Sequence, residues 1–488
     1  MKPLVLFLIG GSGARFLRSL LFHLAAGEKL ININEIKLVI IDTDEANGNY
    51  ESALRLLSLY EKIRNKLESD NANFYTKDES TLFYHKVSLL DPEKKFLTPL
   101  SFKTRTLRDI VDYTNVNRKQ SDFIDLMLTK QELDDDLYIG FQGRPNMGTI
   151  GLEAIQPAIN ASRKIYNLLG DDPQLEADGL ENSLFFTISS MFGGMGAAGM
   201  PMLINKFTKE AYSKIPIGSL TYMQYFKIIE GRGNNDSKYF PQRTKLAYDY
   251  YINTFIDKIN SLYFIGKSFD KESGVSYAPG TKEQHNQAHY IEFLSITSLI
   301  HFCKNIPNSA KPRTLKTYAL RAITDDNNLL NASCLGKEYS PTLENYIKLV
   351  LIGKYYIDRF EKHYSDEELS EVTWVKNADF SKFSTDEREL LHLFFKDLLN
   401  YDQKELYDYS GLRVLVSKNF PEKISETLPD KKFQPESKML GGKRYYDNWK
   451  EIEMRGITDA GINSRGHMSR LLAIFDKSFS NIIQRVFK

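Results

Sequence analysis

Residues 4–26 read LVLFLIGGSGARFLRSLLFHLAA. The first six form an unbroken apolar run, the pattern of a parallel strand covered on both faces. Gly10-Gly11-Ser12-Gly13 interrupts the run. A helix is expected over 14–26, because Phe16, Leu17, Leu20, Leu21 and Leu24 fall on one helical face. A second apolar run, IKLVIIDTDE at 36–45, ends in Asp42 and Asp44. Strand, glycine turn, helix and strand with a terminal acid make a βαβ unit suited to a nucleotide. Glycine lets backbone N–H groups approach a phosphate with no Cβ in the way, and a helix N-terminus adds partial positive charge.

Two further stretches repeat the pattern. LYIGFQGRPNMGTIGLEAI at 137–155 reads as a strand end, a glycine-rich loop and a helix start. SLFFTISSMFGGMGAAGMPML at 183–203 reads as a buried strand, a glycine-rich turn and a helix. IGSLTYMQYFKIIEGRG at 217–233 and SLYFIG at 261–266 are strand-like, with a helix expected near 242–257. Strands alternating with helices predict an α/β fold built on a doubly wound parallel sheet. DKESGVSYAPGTKEQ at 270–284 is expected to be a loop, and HNQAHYIEFLSITSLIHF at 285–302 a buried central helix. Past residue 306 helical patterns dominate, at 342–364, 385–399 and 468–486, while 427–448 reads as an exposed loop. The expected organisation is a nucleotide-binding α/β domain over 1–284 with a helical insertion at about 46–135, a core helix over 285–305, and a mostly helical C-terminal domain over 306–488.

Composition narrows the partners. A chain of 488 residues is too long for one ordinary core, so two or three domains are expected. The formal net charge of +1 supplies no global field, which argues against a nucleic-acid partner. The stretch 411–488 is locally basic, with 15 Lys and Arg against 9 Asp and Glu, and reads as a solvated surface. The two cysteines, Cys303 and Cys334, fit a reducing compartment, hence the cytoplasm, and exclude a disulfide framework. The N-terminal apolar run is short and ends in glycines, so it reads as a strand and not a signal peptide. No apolar run reaches the length of about 18 residues that a membrane span needs.

The loops at 10–13, 140–148 and 193–199 resemble, in order and content, those of the tubulin/FtsZ superfamily of GTPases. LIGGSGARFLRSL at 8–20 looks like the first phosphate loop of that family, and GFQGRPNMG at 140–148 like its loop with Asn, Pro and Gly facing the terminal phosphate. SSMFGGMGAAGMP at 189–201 is similar to the signature G-G-G-T-G-T/S-G with its following proline, and FKIIEGRG at 226–233 to a strand end near the ribose. The resemblance covers about residues 4–300 and suggests a divergent, bacterial-type member. It implies GTP or GDP as ligand, with Mg²⁺ for any hydrolysis. It also implies assembly, either with itself as an oligomer or filament or with a partner protein through the C-terminal domain. By this resemblance Gly10, Gly11, Ser12 and Gly13 meet the α- and β-phosphates, and the segment Gly193, Gly194, Met195, Gly196, Ala197 cradles the same pyrophosphate. Gly143 and Asn146 approach the γ-phosphate, Glu230 and Arg232 lie near the ribose, and Asn286, Tyr290 or Glu292 meets the base.

Departures from the family pattern bear on catalysis. Met195 stands where the family has Thr, and Ala197 where it has Thr or Ser, so two hydroxyl donors are missing. Arg15 replaces a frequent Asn, and either supplies a charge to the phosphates or is an ordinary surface arginine. After Phe302 the chain lacks the Asn-x-Asp loop that completes a neighbouring subunit's site, since Asp325 and Asp326 come too late. A non-hydrolysing nucleotide sensor or scaffold subunit is therefore the alternative.

Other motifs say less. GGSGAR lacks the Gly-Lys-Ser/Thr ending of a Walker loop. Phe16 occupies the third glycine position of a dinucleotide fingerprint, which weakens a third reading, an oxidoreductase with Asp42 on the ribose. His285 and His289 are four apart on the expected core helix, without the acidic partner of a zinc motif, so no metal site is assigned. Asp134, Asp135 and Asp136 read as a solvated turn.

Overall fold

The computed structural model describes residues 1–70, 75, 80–101, 105–229, 239–266, 274–276, 282–306, 313–320, 332–361, 383–409 and 466–487. Glu230, Arg232, Asp325, Asp326 and the 427–448 stretch lie outside the described residues.

Seven strands form one all-parallel sheet: β1 (Lys2–Ile9), β2 (Ile33–Ile41), β3 (Lys86–Leu89), β4 (Leu184–Ser190), β5 (Ile217–Tyr222), β7 (Ser261–Ile265) and β9 (Lys316–Leu320). Their spatial order is β3-β2-β1-β4-β5-β7-β9, and β6 (Lys227–Ile229) and β8 (Gly274–Ser276) pair separately. The helices are α1 (Gly10–Ala25), α2 (Gly48–Asp70), α3 (Leu107–Ile110), α4 (Arg118–Met127), α5 (Lys130–Asp134), α6 (Pro145–Glu153), α7 (Gln156–Asn160), α8 (Arg163–Leu169), α9 (Gly194–Lys206), α10 (Phe240–Thr254), α11 (Tyr290–Lys304), α12 (Ala332–Tyr355), α13 (Thr385–Asn400) and α14 (His467–Phe487).

The pleat of β1 explains why its sequence is apolar throughout. Leu4, Leu6 and Leu8 join the core under α1, α2 and α11, while Val5, Phe7 and Ile9 join the core under α6, α9 and α10. The molecule is thus an α/β protein with helices on both sheet faces. Among the described residues no helix is long and apolar enough to cross a membrane.

Several expectations require correction. The glycine segment 10–13 is the first turn of α1 and not a loop before it. Residues 137–139 form a short 3₁₀ turn where a strand end was expected. The supposed insertion at 46–135 supplies α2, which packs on α1, and the edge strand β3. Part of the loop expected at 270–284 is β8, and a strand, β9, follows the core helix. That helix starts at Tyr290 because a capping box, His289 with Glu292, fixes its first turn. His285 therefore lies off it.

The C-terminal helices share the N-terminal core. α12 packs on α1, and α13 and α14 pack on α2. Phe22 of α1 meets Phe394 and Tyr401, with ring centroids 5.8 Å and 4.7 Å apart. The acids expected in a solvated turn are ion-paired: Asp134 with Arg108, Asp135 with the buried Arg144 at 2.7 Å, and Asp136 with Arg105.

Candidate functional site

Strand order reverses between β1 and β4. The chain runs from β1 outward to β2 and β3, then returns to build β4 on the other side. Crossovers on the two sides leave a crevice at the carboxyl ends of these strands, where α/β proteins bind ligands. An open cleft of about 900 Å³, mouth included, lies there. α1 leaves β1 and α9 follows β4, so both helices present their N-termini to it. Neither helix has a side-chain cap or an acid in its first turn. Their first-turn N–H groups and the positive ends of two macrodipoles are therefore available to an anion.

The glycines divide by role. Gly10 holds φ +68°, a left-handed conformation, and its carbonyl accepts the Tyr50 hydroxyl at 2.9 Å. At Gly11 an added Cβ would meet nothing within 4 Å, so this position faces open cleft. At Gly13 it would come within 2.7 Å of the Leu8 backbone, and at Gly196 within 2.5 Å of the Ser190 carbonyl oxygen. Those two glycines permit helix to sit on strand, although Gly196 also lines the cleft. Ser12, Gly143, Gly193, Gly194, Met195 and Asn286 line it as well.

Other expected site residues are not among those lining the cleft. Gly13 is pressed against Leu8 of β1, and Ala197 offers its carbonyl to the Tyr251 hydroxyl at 3.2 Å. Asn146 donates to Glu132 at 3.3 Å, and Tyr290 lies against His289, centroids 4.5 Å apart. Arg15 lines the cleft but is no surface arginine. Its Nε stands 2.5 Å from Glu292 Oε1, its Nη2 donates to the Gln287 carbonyl at 3.0 Å, and its guanidinium lies 5.4 Å from the Phe226 ring centroid. Glu292 also accepts the Tyr225 hydroxyl at 2.5 Å. Burial pushes the Glu292 carboxyl above its usual range, and Arg15 pulls it back.

A polar wall descends from the end of β2. Asp42 Oδ1 accepts the N–H groups of Thr43 and Asp44 at 2.8 and 3.1 Å. Asn47 donates to Asp44 at 3.4 Å, and the Asn286 N–H donates to Asn49 Oδ1 at 2.8 Å. Asp44, Asn47, Asn49 and Gln284 line the cleft, and of these four the sequence singled out only Asp44, as a strand-terminal acid. For Asn47 and Asn49 the only available signal was the dense polar turn DTDEANGN at 42–49. Phe192, Phe226 and Phe240 form an aromatic wall, with Phe192 5.3 Å from each of the other two.

Asp42 titrates abnormally. Burial pushes its carboxyl up to about 7, with Asp44 and Glu45 adding to the rise and the two backbone N–H bonds opposing it. The folded pKa exceeds the unfolded one, so the proton favours the folded state. That contribution is complete below the ordinary carboxylate range and is lost as pH rises to about 7. In urea unfolding, Asp42→Asn is expected to flatten the decline of stability between about pH 4 and pH 7. An unchanged slope in the variant contradicts this assignment.

Among the described residues that line the cleft there is no His, Cys or Lys, so they offer no acyl-transfer nucleophile paired with a histidine or lysine base. Among the described residues no group of three or more His, Cys, Asp or Glu is placed to hold a metal. The cleft combines anion-attracting helix ends, a polar wall of acids and carboxamides, and aromatic rings. The protein is an α/β protein with a polar crevice at the switch point of a parallel sheet. No protein-family model, curated protein or solved structure matches the chain.

Proposed function

We propose that the chain is a tubulin-like nucleotide-binding protein of the cytoplasm, with GTP the favoured ligand. In this reading nucleotide state controls assembly, either with itself or with a partner protein through the C-terminal helices. The observation that carries the reading is the convergence of two uncapped helix N-termini on one switch-point cleft. The phosphates sit at Gly11, Ser12, Gly193 and Gly194, the terminal phosphate faces Gly143, and the base lies toward Asn286. Any hydrolysis in this reading requires Mg²⁺ alongside the nucleotide. Such an ion neutralises charge on a transferring phosphoryl group.

The reading is tested by denaturing the purified protein and separating what it releases. A guanine nucleotide is the expected product. A nicotinamide or flavin instead would favour a dinucleotide oxidoreductase with Asp42 on the ribose. An empty protein that also fails to bind added GTP or ATP would reduce the glycines to packing devices.

A second reading, a sensor or scaffold that never turns nucleotide over, is favoured by one linkage. Arg18 of α1 grips Glu405 with two bonds of 2.6 Å, and Glu405 also accepts the Ala288 N–H at 2.7 Å, just before α11. The helix at the phosphates is thereby tied to both the core helix and the C-terminal part. Bound nucleotide without turnover separates this reading from the first.

A further inference from the structure

Gln142 stands out in the cleft for three independent reasons. Its φ is +46°, a left-handed conformation that a non-glycine residue rarely adopts, between Gly140 at +79° and Gly143 at +73°. Such strain persists where surrounding structure enforces it, and it clusters at functional sites. The side chain lines the cleft, is only 5 % exposed, and has no hydrogen-bond partner for its carboxamide among the described residues. The carboxamide opens on the cleft, where a water or a ligand can meet it.

The third reason is position. The 141–144 turn lies directly over the start of α9. A Cβ at Gly194 would fall 2.7 Å from Phe141 Cβ, 2.9 Å from the Phe141 carbonyl oxygen and 3.0 Å from the Arg144 nitrogen. From outside, Arg243 donates to the Gly143 carbonyl, and Arg144 is paired with Asp135 at 2.7 Å. The strained turn is thus held from both sides against the uncapped helix end.

We propose that Gln142 positions the attacking water for hydrolysis of a nucleoside triphosphate within a single chain. This rests on the nucleotide reading above. A carboxamide can accept a hydrogen bond from water through its oxygen and donate one to a phosphate oxygen through its nitrogen. Orienting a water in line with a terminal phosphate is work that a glutamine does well, because loose phosphoryl transfer needs placement more than a strong base. In the step, the water oxygen bonds to the γ-phosphorus and the bond from γ-phosphorus to the bridging oxygen breaks. The nucleoside diphosphate leaves with that electron pair, and a proton from the water passes to the released phosphate or to solvent. No acid from a neighbouring copy is needed.

The test is single-turnover hydrolysis of GTP with Mg²⁺ at several protein concentrations, alongside measurement of GTP affinity. Wild-type protein is expected to hydrolyse at a rate per chain that does not change with concentration. Gln142→Gly is expected to be slower by about 100-fold or more, with GTP affinity within about 3-fold. Glycine adopts this φ without strain, so the variant folds at least as well as the parent. Gln142→Asn, which tolerates the conformation but is one methylene shorter, is expected to remain slow. A per-chain rate that rises with concentration overturns the inference, as does a Gln142→Gly variant with the parental rate, or wild-type protein that binds GTP and never hydrolyses it. Wild-type protein that binds no nucleotide at all overturns the nucleotide reading itself.

Discussion

Replacing Arg15 by alanine is expected to destabilise the protein by about 3–5 kcal/mol at neutral pH, because it leaves the Glu292 carboxylate buried and without its charge partner. Arg15 is 8 % exposed and Glu292 1 %, so solvent does little to screen either charge. The loss is expected to shrink as pH falls, since the Glu292 carboxyl, already raised by burial, takes up a proton more readily without Arg15 beside it. Urea unfolding of Arg15→Ala, Glu292→Gln and the double variant checks this. A strongly non-additive cycle is expected, with the double variant more stable than the sum of the single losses allows. Additive losses would show that the pair, at 2.5 Å in the folded protein, is not energetically coupled. The pair joins the first helix to the start of the core helix, so its loss is felt at the cleft as well as in the core.

Gly196→Val is expected to cost about 3 kcal/mol or more. Its Cβ would lie 2.5 Å from the Ser190 carbonyl oxygen and 2.6 Å from the Ser190 nitrogen, backbone atoms of β4 that have nowhere to move. Chemical denaturation measures the loss, and a variant as stable as the parent would show that α9 is free to shift away from β4. Gly11→Val is the informative contrast. Nothing lies within 4 Å of its Cβ, so stability is expected to stay within about 0.5 kcal/mol while the new side chain fills the cleft.

That contrast shows where sequence stops being informative. Both residues sit in glycine-rich turns after buried strands, and the letters alone assign them the same role. Only the third dimension separates Gly196, pressed on Ser190, from Gly11, open to the cleft. The central strands were legible because β1 and β4 are apolar at nearly every position, as strands covered on two faces must be. The edge strands were not, because KVSL in β3 and KTYAL in β9 are short and carry polar residues. α2 was read as insertion although Tyr50, Ala53, Leu57, Tyr60, Ile63 and Leu67 keep helical spacing and are buried, because abundant charge on its outer face masked the stripe. Arg15 was unreadable for another reason: its partner lies 277 positions away along the chain. The acids and carboxamides at 42–49 were visible as a turn, but their shared wall appears only when Gln284 and Asn286 fold back beside them.

The most direct test of nucleotide binding at the switch-point cleft is calorimetric titration of GTP with Mg²⁺ into the wild-type protein and into Gly11→Val. The expected result is saturable binding to wild type, lost in a variant that unfolds at the same urea concentration as its parent. Equal binding by both proteins, or no heat from either, would contradict the placement of the phosphates at the N-terminus of α1.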